Sequence, residues 1–307
     1  MIIFNRIDDI RINFRSAVTI GTFDGVHRGH QHVLEALNLA SQECGCQSVL
    51  VTFHPHPKMV VRPELASSLR FLTTPDEKIE QLTRYPLKAI ANLPFTKEFS
   101  QMPYYEFIEE VLVKRLNVGV MVIGHDHAFG RNREGHYEEL REFADKMGFQ
   151  VRRVPPLLVE GEPISSTRIR KLLEKGKIEA ANDLMGRPYS LRGTVVHGDG
   201  RGTQLGFPTA NIRVDYPQKL IPGNGVYAID VKIANQRYQG MMNIGNRPTF
   251  NHDPLTLEAH LFKFFGSIYG EKIEVFFKQF IRREIKFRNK EELVKQLIKD
   301  KETCINS

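Results

Sequence analysis

The feature that most constrains this chain is a change of apolar period near residue 186. Before it, short apolar runs alternate with amphipathic stretches, the pattern of strands joined by helices in a parallel sheet. The expected strands are Ala17–Ile20, Ser48–Phe53, Lys88–Leu93, Gly119–Ile123 and Gln150–Val154. Between them, Val33, Leu34, Leu37 and Ala40 share one helical face. A second helix over Tyr104–Leu116 places Phe107, Ile108, Val111, Leu112 and Arg115 at similar offsets. Two short helices, Ser166–Glu174 and Ile178–Leu184, close this half. After Gly186-Arg187-Pro188 the period falls to two, with strands expected at Tyr189–His197, Gly225–Ile233, Tyr238–Asn243, Thr256–Phe264 and Lys272–Phe280. Gly, Pro and Asn turns separate them, which predicts a small closed antiparallel barrel, and a helix over Lys290–Asp300 ends the chain. A length of 307 residues suits two domains. The expected fold is therefore α/β plus β: a parallel-sheet domain over 1–185 and a barrel with a terminal helix over 186–307.

Composition excludes several classes. With 41% hydrophobic and 26% charged residues the chain reads as an ordinary globular protein rather than a disordered one. Charges from Arg6 onward interrupt any secretory apolar core. No apolar run approaches the ~20 residues of a membrane span. The cysteines, Cys44, Cys46 and Cys304, are odd in number, and C-G-C is neither a redox C-x-x-C nor a zinc knuckle, so a reducing cytoplasm is expected. Forty-three Lys and Arg against 36 Asp and Glu give a net charge of +7, compatible with nucleic acid, anionic membranes or phosphorylated small molecules. The densest basic stretch, Arg282, Arg283, Lys286, Arg288 and Lys290, is broken by Glu284, Ile285 and Phe287. It reads as a strand leading into a helix, and no nucleic-acid, membrane or obligate protein partner is expected.

The string Gly21-Thr22-Phe23-Asp24-Gly25-Val26-His27-Arg28-Gly29-His30 lies between a strand and a helix, where open α/β sheets bind ligands. The helix start offers free N–H groups and a positive dipole end to a phosphate, and Gly21, Gly25 and Gly29 permit close backbone approach. His27 and His30, three residues apart, are placed to donate to one phosphate. A lone H-x-G-H reads as a turn with incidental histidines; the ten-residue string in this context points to a site. A second segment, Ile164 to Arg170, opens a helix with Ser166 and Thr167, good capping residues. Arg170 beside those hydroxyls adds an anion-site reading, and by itself the segment leaves both readings open.

In the second half, Gly198, Gly200 and Gly202 alternate with Asp199 and Arg201 ahead of Leu205. The glycines alone read as a hairpin, although such backbone also cradles phosphates. Pro208-Thr209-Ala210-Asn211 adds two oxygen-bearing side chains suited to Mg²⁺ and its waters. Thr256, Glu258 and His260 share one face of a strand, with Leu257, Ala259 and Leu261 on the other. Spacing alone does not single out Glu258.

The H-x-G-H turn paired with I-S-S-T-x-I-R resembles the nucleotidylyltransferases, which implies a Rossmann-like first domain. With Thr52-Phe53-His54-Pro55-His56-Pro57 and Phe71-Leu72-Thr73 between them, the half is similar to the FMN adenylyltransferase module of bacterial bifunctional FAD synthetases. The resemblance implies that FMN phosphate attacks the α-phosphorus of ATP and displaces pyrophosphate. It implies that His27 and His30 hold the ATP phosphates, and that Ser166, Thr167 and Arg170 bind the triphosphate and the leaving pyrophosphate. Gly21, Phe23, Asp24, Gly25 and Asp126 join the nucleotide site, and His54, Pro55 and Phe129 the flavin site. In the segment resembling G-x-D-F-x-F-G, His127 replaces an aromatic residue and Ala128 is small.

From Gly186 to Asp300 the chain resembles the riboflavin kinase module, through G-R-P-Y, G-F-P-T-A-N-I, G-V-Y-A, N-I-G-N-R-P-T-F and I-R-R-E-I-K-F. That resemblance assigns Thr209 and Asn211 to Mg²⁺ with ATP, Gly198 and Gly202 to the nucleotide, and Glu258 to general base. Lys263 and Thr203 depart from the family's usual acid and base at those places. The implied activities are riboflavin kinase and FMN adenylyltransferase, with ATP, riboflavin and FMN as substrates. Four rival readings stand beside this one: a zinc hydrolase using His27, His30, His54, His56, His125 and His127; a riboflavin kinase alone, its first domain weakened at His127 and Ala128; a flavin-binding regulator touching nucleic acid; and another nucleotidylyltransferase with an unrelated barrel.

Overall fold

The computed structural model describes residues 1–125, 137–198, 202, 205–246 and 255–306. The chain divides into two compact units, Met1–Ser165 and Ser166–Ser307. The first contains, in order, β1 (Ile2–Phe4), β2 (Ser16–Ile20), α1 (Arg28–Glu43), β3 (Gln47–His54), α2 (Pro57–Val61), α3 (Pro75–Leu82), β4 (Ala89–Pro94), α4 (Lys97–Ser100), α5 (Tyr104–Phe107), β5 (Val118–Gly124), α6 (Tyr137–Met147), β6 (Gln150–Val154) and the small hairpin β7 (Leu158–Val159) and β8 (Glu162–Pro163). β1 to β6 form one parallel sheet in the order β1-β4-β3-β2-β5-β6. Alternate residues of each inner strand enter opposite cores. Val18, Val49, Val51 and Met121 meet Phe107, Val111, Leu112 and Leu140, whereas Ala17, Leu50 and Val120 meet Leu34, Leu37 and Leu82. Burial on both faces is why the inner strands read as unbroken apolar runs.

Strand order reverses beside β2: β3 and β4 extend to one side, β5 and β6 to the other. Ligands bind such sheets outside the carboxyl ends of the strands at this switch, and the glycine-rich turn follows β2 there. The expected helix over Tyr104–Leu116 takes a different form. After α5 the backbone widens to π-helical turns over Ile108–Val113, where Lys114 N–H donates to the Glu109 carbonyl and Leu116 N–H to that of Val111. Leu116 is fully buried, whereas Arg115 donates to the Ile7 carbonyl and to Asp8. Cys44 and Cys46 flank Gly45 at the end of α1, their Cα atoms 5.3 Å apart.

The second unit contains α7 (Ser166–Glu174), α8 (Ile178–Met185), β9 (Tyr189–Val196), β10 (Ala210–Val214), β11 (Gly225–Ile233), β12 (Gln236–Asn246), β13 (Leu255–Leu261), β14 (Lys272–Arg282) and α9 (Lys290–Ile305). The strands close an antiparallel barrel in the order β10-β13-β12-β11-β14-β9. β10, absent from the expected strands, completes the closure by pairing with both β9 and β13. α7 and α8 fall within this unit. Asn182 of α8 donates from Nδ2 to the Phe277 carbonyl at 2.9 Å and accepts from Tyr189 N–H at 2.7 Å, which fastens the helix to β14 and β9.

α9 packs outside the barrel, where Cys304 and Leu297 join Ala228, Met241 and Phe262. Asp300, 1% exposed, accepts from Arg282 Nε at 3.0 Å and Nη2 at 2.7 Å, and from Gln296 at 2.8 Å. Removing one partner strands a buried charge. Asp300→Ala is therefore expected to destabilise this unit by about 3 kcal/mol, and Arg282→Met with Asp300→Leu to recover most of the loss. Urea unfolding of the three proteins checks this.

Candidate active sites

The first site begins where β2 runs out. Phe23, Gly25 and Val26 adopt positive φ (49°, 86° and 39°), a tight turn that brings His27 to the N-cap of α1. Gly25 is required twice over: its φ suits glycine, and a Cβ would lie 2.7 Å from Leu72 Cδ1. Phe23 turns into the core beneath α1. Asp24, 4% exposed, accepts from Leu72 N–H at 2.9 Å and Thr73 N–H at 3.1 Å. Both residues shape the turn, and Asp24 ties it to Phe71-Leu72-Thr73. Gly21 continues the β2–β3 ladder, its N–H donating to the Val51 carbonyl at 3.0 Å.

His27 Nδ1 accepts from the His30 backbone N–H at 3.3 Å, so its own proton resides on Nε2. The two imidazole rings stack at 3.7 Å. Burial first, then His27 and then Lys78, hold the His30 pKa well below its ordinary value, so this ring is neutral at pH 7. α1 carries no acidic residue in its first turn, leaving its positive end unopposed there.

β3 lies beside β2, and His54 and Pro55 sit at its carboxyl end. Burial, followed by the charge of Lys78, lowers the His54 pKa, with Asp76 opposing. The His56 ring stacks on Phe71 at 4.9 Å, joining the two strings that the sequence set apart. Lys78, which the sequence reading passed over, reaches in from α3 and donates from Nζ to Thr52 Oγ1 at 3.0 Å and to the Phe53 carbonyl at 2.9 Å. Nothing in a lysine on an amphipathic helix distinguishes it from a solvated one. Asp126, His127, Ala128 and Phe129 lie outside the described residues. Among the described residues no group of His, Cys, Asp and Glu converges to hold a metal ion. Ser166 and Thr167 stand in the first turn of α7 with Arg170 four residues after Ser166, on the same helix face and within the second unit.

The second site is a row of side chains across the barrel. Asn211 of β10 pairs directly with Glu258 of β13, which pairs in turn with Asn243 of β12. Directly opposed residues point to one side of a sheet, so the three share a face. On the other face Leu257, Ala259, Met242 and Ile244 fill the barrel. Asn243, missed in the sequence, is visible only once the register is known. His260, on the same face of β13 as Glu258, is only 7% exposed, and its Nδ1 makes a 2.8 Å hydrogen bond with the Pro208 carbonyl, linking the strand that carries Glu258 to the segment that carries Thr209.

Two glycines make room for the row. A Cβ at Gly198 would collide with the Asn211 amide, and one at Gly202 would come within 3.1 Å of Thr209 Oγ1. Gly202 also anchors the turn that follows, its carbonyl accepting from Leu205 N–H at 3.1 Å and Phe207 N–H at 2.9 Å. Gly198→Ala is expected to push the Asn211 amide aside and raise the KM for the nucleotide that the resemblance assigns here roughly tenfold, the effect of one lost polar contact. Initial rates against ATP, with a melting curve to show an unchanged fold, check this.

A family model described as FAD synthetase matches residues 9–168, and one described as riboflavin kinase matches residues 185–307. Among curated relatives, the bifunctional riboflavin kinase/FMN adenylyltransferase of Listeria monocytogenes is 38% identical, covering 94% of this chain and 91% of that protein. The proteins of the same name from Bacillus subtilis and Escherichia coli are 34% and 33% identical, covering 95% and 94% of this chain and 92% and 91% of theirs. A solved structure described as a macrolide-efflux protein from Streptococcus pneumoniae is 33% identical with a TM-score of 0.91, covering 100% of this chain and 99% of that one.

Proposed function

The chain belongs to the family of bifunctional riboflavin kinase/FMN adenylyltransferases, and from that premise we infer how its residues divide two reactions. The enzyme transfers the γ-phosphoryl group of ATP to riboflavin, giving FMN and ADP, and then the adenylyl group of a second ATP to FMN, giving FAD and diphosphate. The efflux description belongs to the Streptococcus pneumoniae protein and is not carried over, because both halves match flavin-enzyme families.

Kinase chemistry belongs to the barrel. The ribityl 5′-hydroxyl is neutral, so it needs a base as its oxygen bonds to the γ-phosphorus and the bond to the β-phosphate oxygen breaks. Glu258 takes that proton. The observation that carries this assignment is its register: Asn211 lies directly opposite on β10. The Thr209 hydroxyl and the Asn211 amide oxygen are hard donors, and glycines clear the backbone beside each. This set fits Mg²⁺, which when bound with ATP neutralises phosphate charge.

Adenylyl transfer belongs to the parallel-sheet unit. The FMN phosphate is already anionic, so attack on the α-phosphorus needs positioning and charge stabilisation more than a base. His27 donates from Nε2, His30 lies stacked beside it, and the N-terminus of α1 adds its N–H groups. The family resemblance further implies that Ser166, Thr167 and Arg170 receive the leaving diphosphate and that His54 and Pro55 border the flavin. Consumption of ATP supports a cytoplasmic setting. Incubating the protein with riboflavin, ATP and Mg²⁺ should yield FMN first and FAD after it; FMN that accumulates without FAD would support the kinase-only reading.

A further inference from the structure

Lys78 is a buried cation that the two reactions above leave without a role. It is 7% exposed, and both of its hydrogen-bond partners, Thr52 Oγ1 and the Phe53 carbonyl, are neutral. Thr52 in turn donates to the Thr22 carbonyl at 3.2 Å, inside the glycine turn. From the other side Asp24 of the same turn accepts from Leu72 and Thr73, just ahead of the Thr74 cap of α3. The turn is therefore fastened to α3 and its lead-in at two points. Fastening needs only hydrogen bonds, and a buried ammonium is a costly way to make them. Burial lowers the Lys78 pKa to about 8, with Asp24 opposing. Its charge is felt by His30 of α1 and His54 at the end of β3.

We propose that Lys78 is a positioning residue of the adenylyl-transfer site: its buried ammonium holds the Gly21–Gly25 turn through Thr52 and supplies a fixed positive charge that favours ATP phosphates beside His27 and His30. The proposal rests on the reading of that turn as a phosphate site. Charge and fastening are separable by pH. A neutral amine keeps two N–H groups, enough for Thr52 Oγ1 and the Phe53 carbonyl, so deprotonation removes the charge and leaves the hydrogen bonds. The charged and titratable groups around Lys78 are Asp24 from the turn, His30 from α1, His54 from β3, and Asp76 and Glu77 from the first turn of α3. Above pH 7 both lowered histidines are already neutral. Substrate phosphates lose their last proton near ~6, below the window of interest.

The experiment follows FAD formation from FMN, ATP and Mg²⁺ by the full-length protein between pH 6.5 and 9.5, for the wild type, Lys78→Arg and Lys78→Met. FMN formation from riboflavin in the same preparations serves as the reference. The wild-type kcat/KM for ATP should fall about tenfold from pH 7 to 9, as expected for a pKa of about 8. The matching limb in kcat should lie at higher pH, because bound phosphates keep the lysine protonated. Lys78→Arg should flatten the limb, and Lys78→Met should be about 10- to 100-fold slower at pH 7, the range for removing one charged donor. A flat wild-type profile, an unchanged limb in Lys78→Arg, or a fully active Lys78→Met overturns the proposal. Where neither variant folds, the wild-type limb and its displacement in kcat decide. Normal FAD synthesis by His30→Ala would instead remove the phosphate-site reading on which the proposal stands.

Discussion

Glu258→Gln is expected to stop phosphorylation of riboflavin while FMN supplied to the same protein is still converted to FAD. The substitution keeps the size and polarity of the side chain, and the main chain of β13 keeps its ladder with β10 and β12. What it removes is an acceptor able to hold a proton. A neutral hydroxyl attacking the γ-phosphorus then has no base, and loss of a positioned base costs about 10³-fold in kcat. Because Asn211 and Asn243 flank the position without being altered, the KM for ATP should change little, which separates a lost base from a lost binding contact. Parallel assays of FMN from riboflavin and FAD from FMN read the two activities; equal loss of both would count against separate sites.

His30→Ala should show the converse, with FAD synthesis reduced about 10²- to 10³-fold and FMN formation unaffected. That range is the cost of one donor lost from a site that stabilises developing charge. The same variant carries a pH signature. His30 has a folded-state pKa below its unfolded value, so the unfolded chain takes up a proton that the folded chain excludes once the pH falls below about 6.5. The wild type therefore loses stability through this group as pH drops below that point. Melting temperatures measured between pH 7 and 5 should decline less steeply in His30→Ala than in the wild type.

Several features were legible because they depend on local chemistry alone. Unbroken apolar runs marked the inner parallel strands, since those bury both faces. Alternation marked most barrel strands, since one face fills the barrel. The glycine turn with its two histidines was legible because positive φ and close approach restrict residue choice. Other features were not. Ala210–Val214 gave no sign of closing a barrel, being short and shared with the P-T-A-N string. Tyr104–Leu116 keeps a helical apolar stripe whether the turns are α or π, so the sequence pattern does not tell the two apart. Lys78 and Asn243 resemble surface residues in any window of sequence, because what distinguishes them lies on other elements.

By itself, then, the sequence determined the two architectures, the place of the glycine turn after β2, and the family resemblance that singled out Glu258. Those are properties of period, conformational restriction and residue type, all of which act within a few residues. Only tertiary structure decided that Asp24 fastens the turn to Leu72 and Thr73, and that α8 is pinned to β9 and β14. It alone set Asn211, Glu258 and Asn243 in one row. Each of these depends on which strand or helix lies next to which, and strand register and helix packing are settled by contacts between residues far apart in the chain.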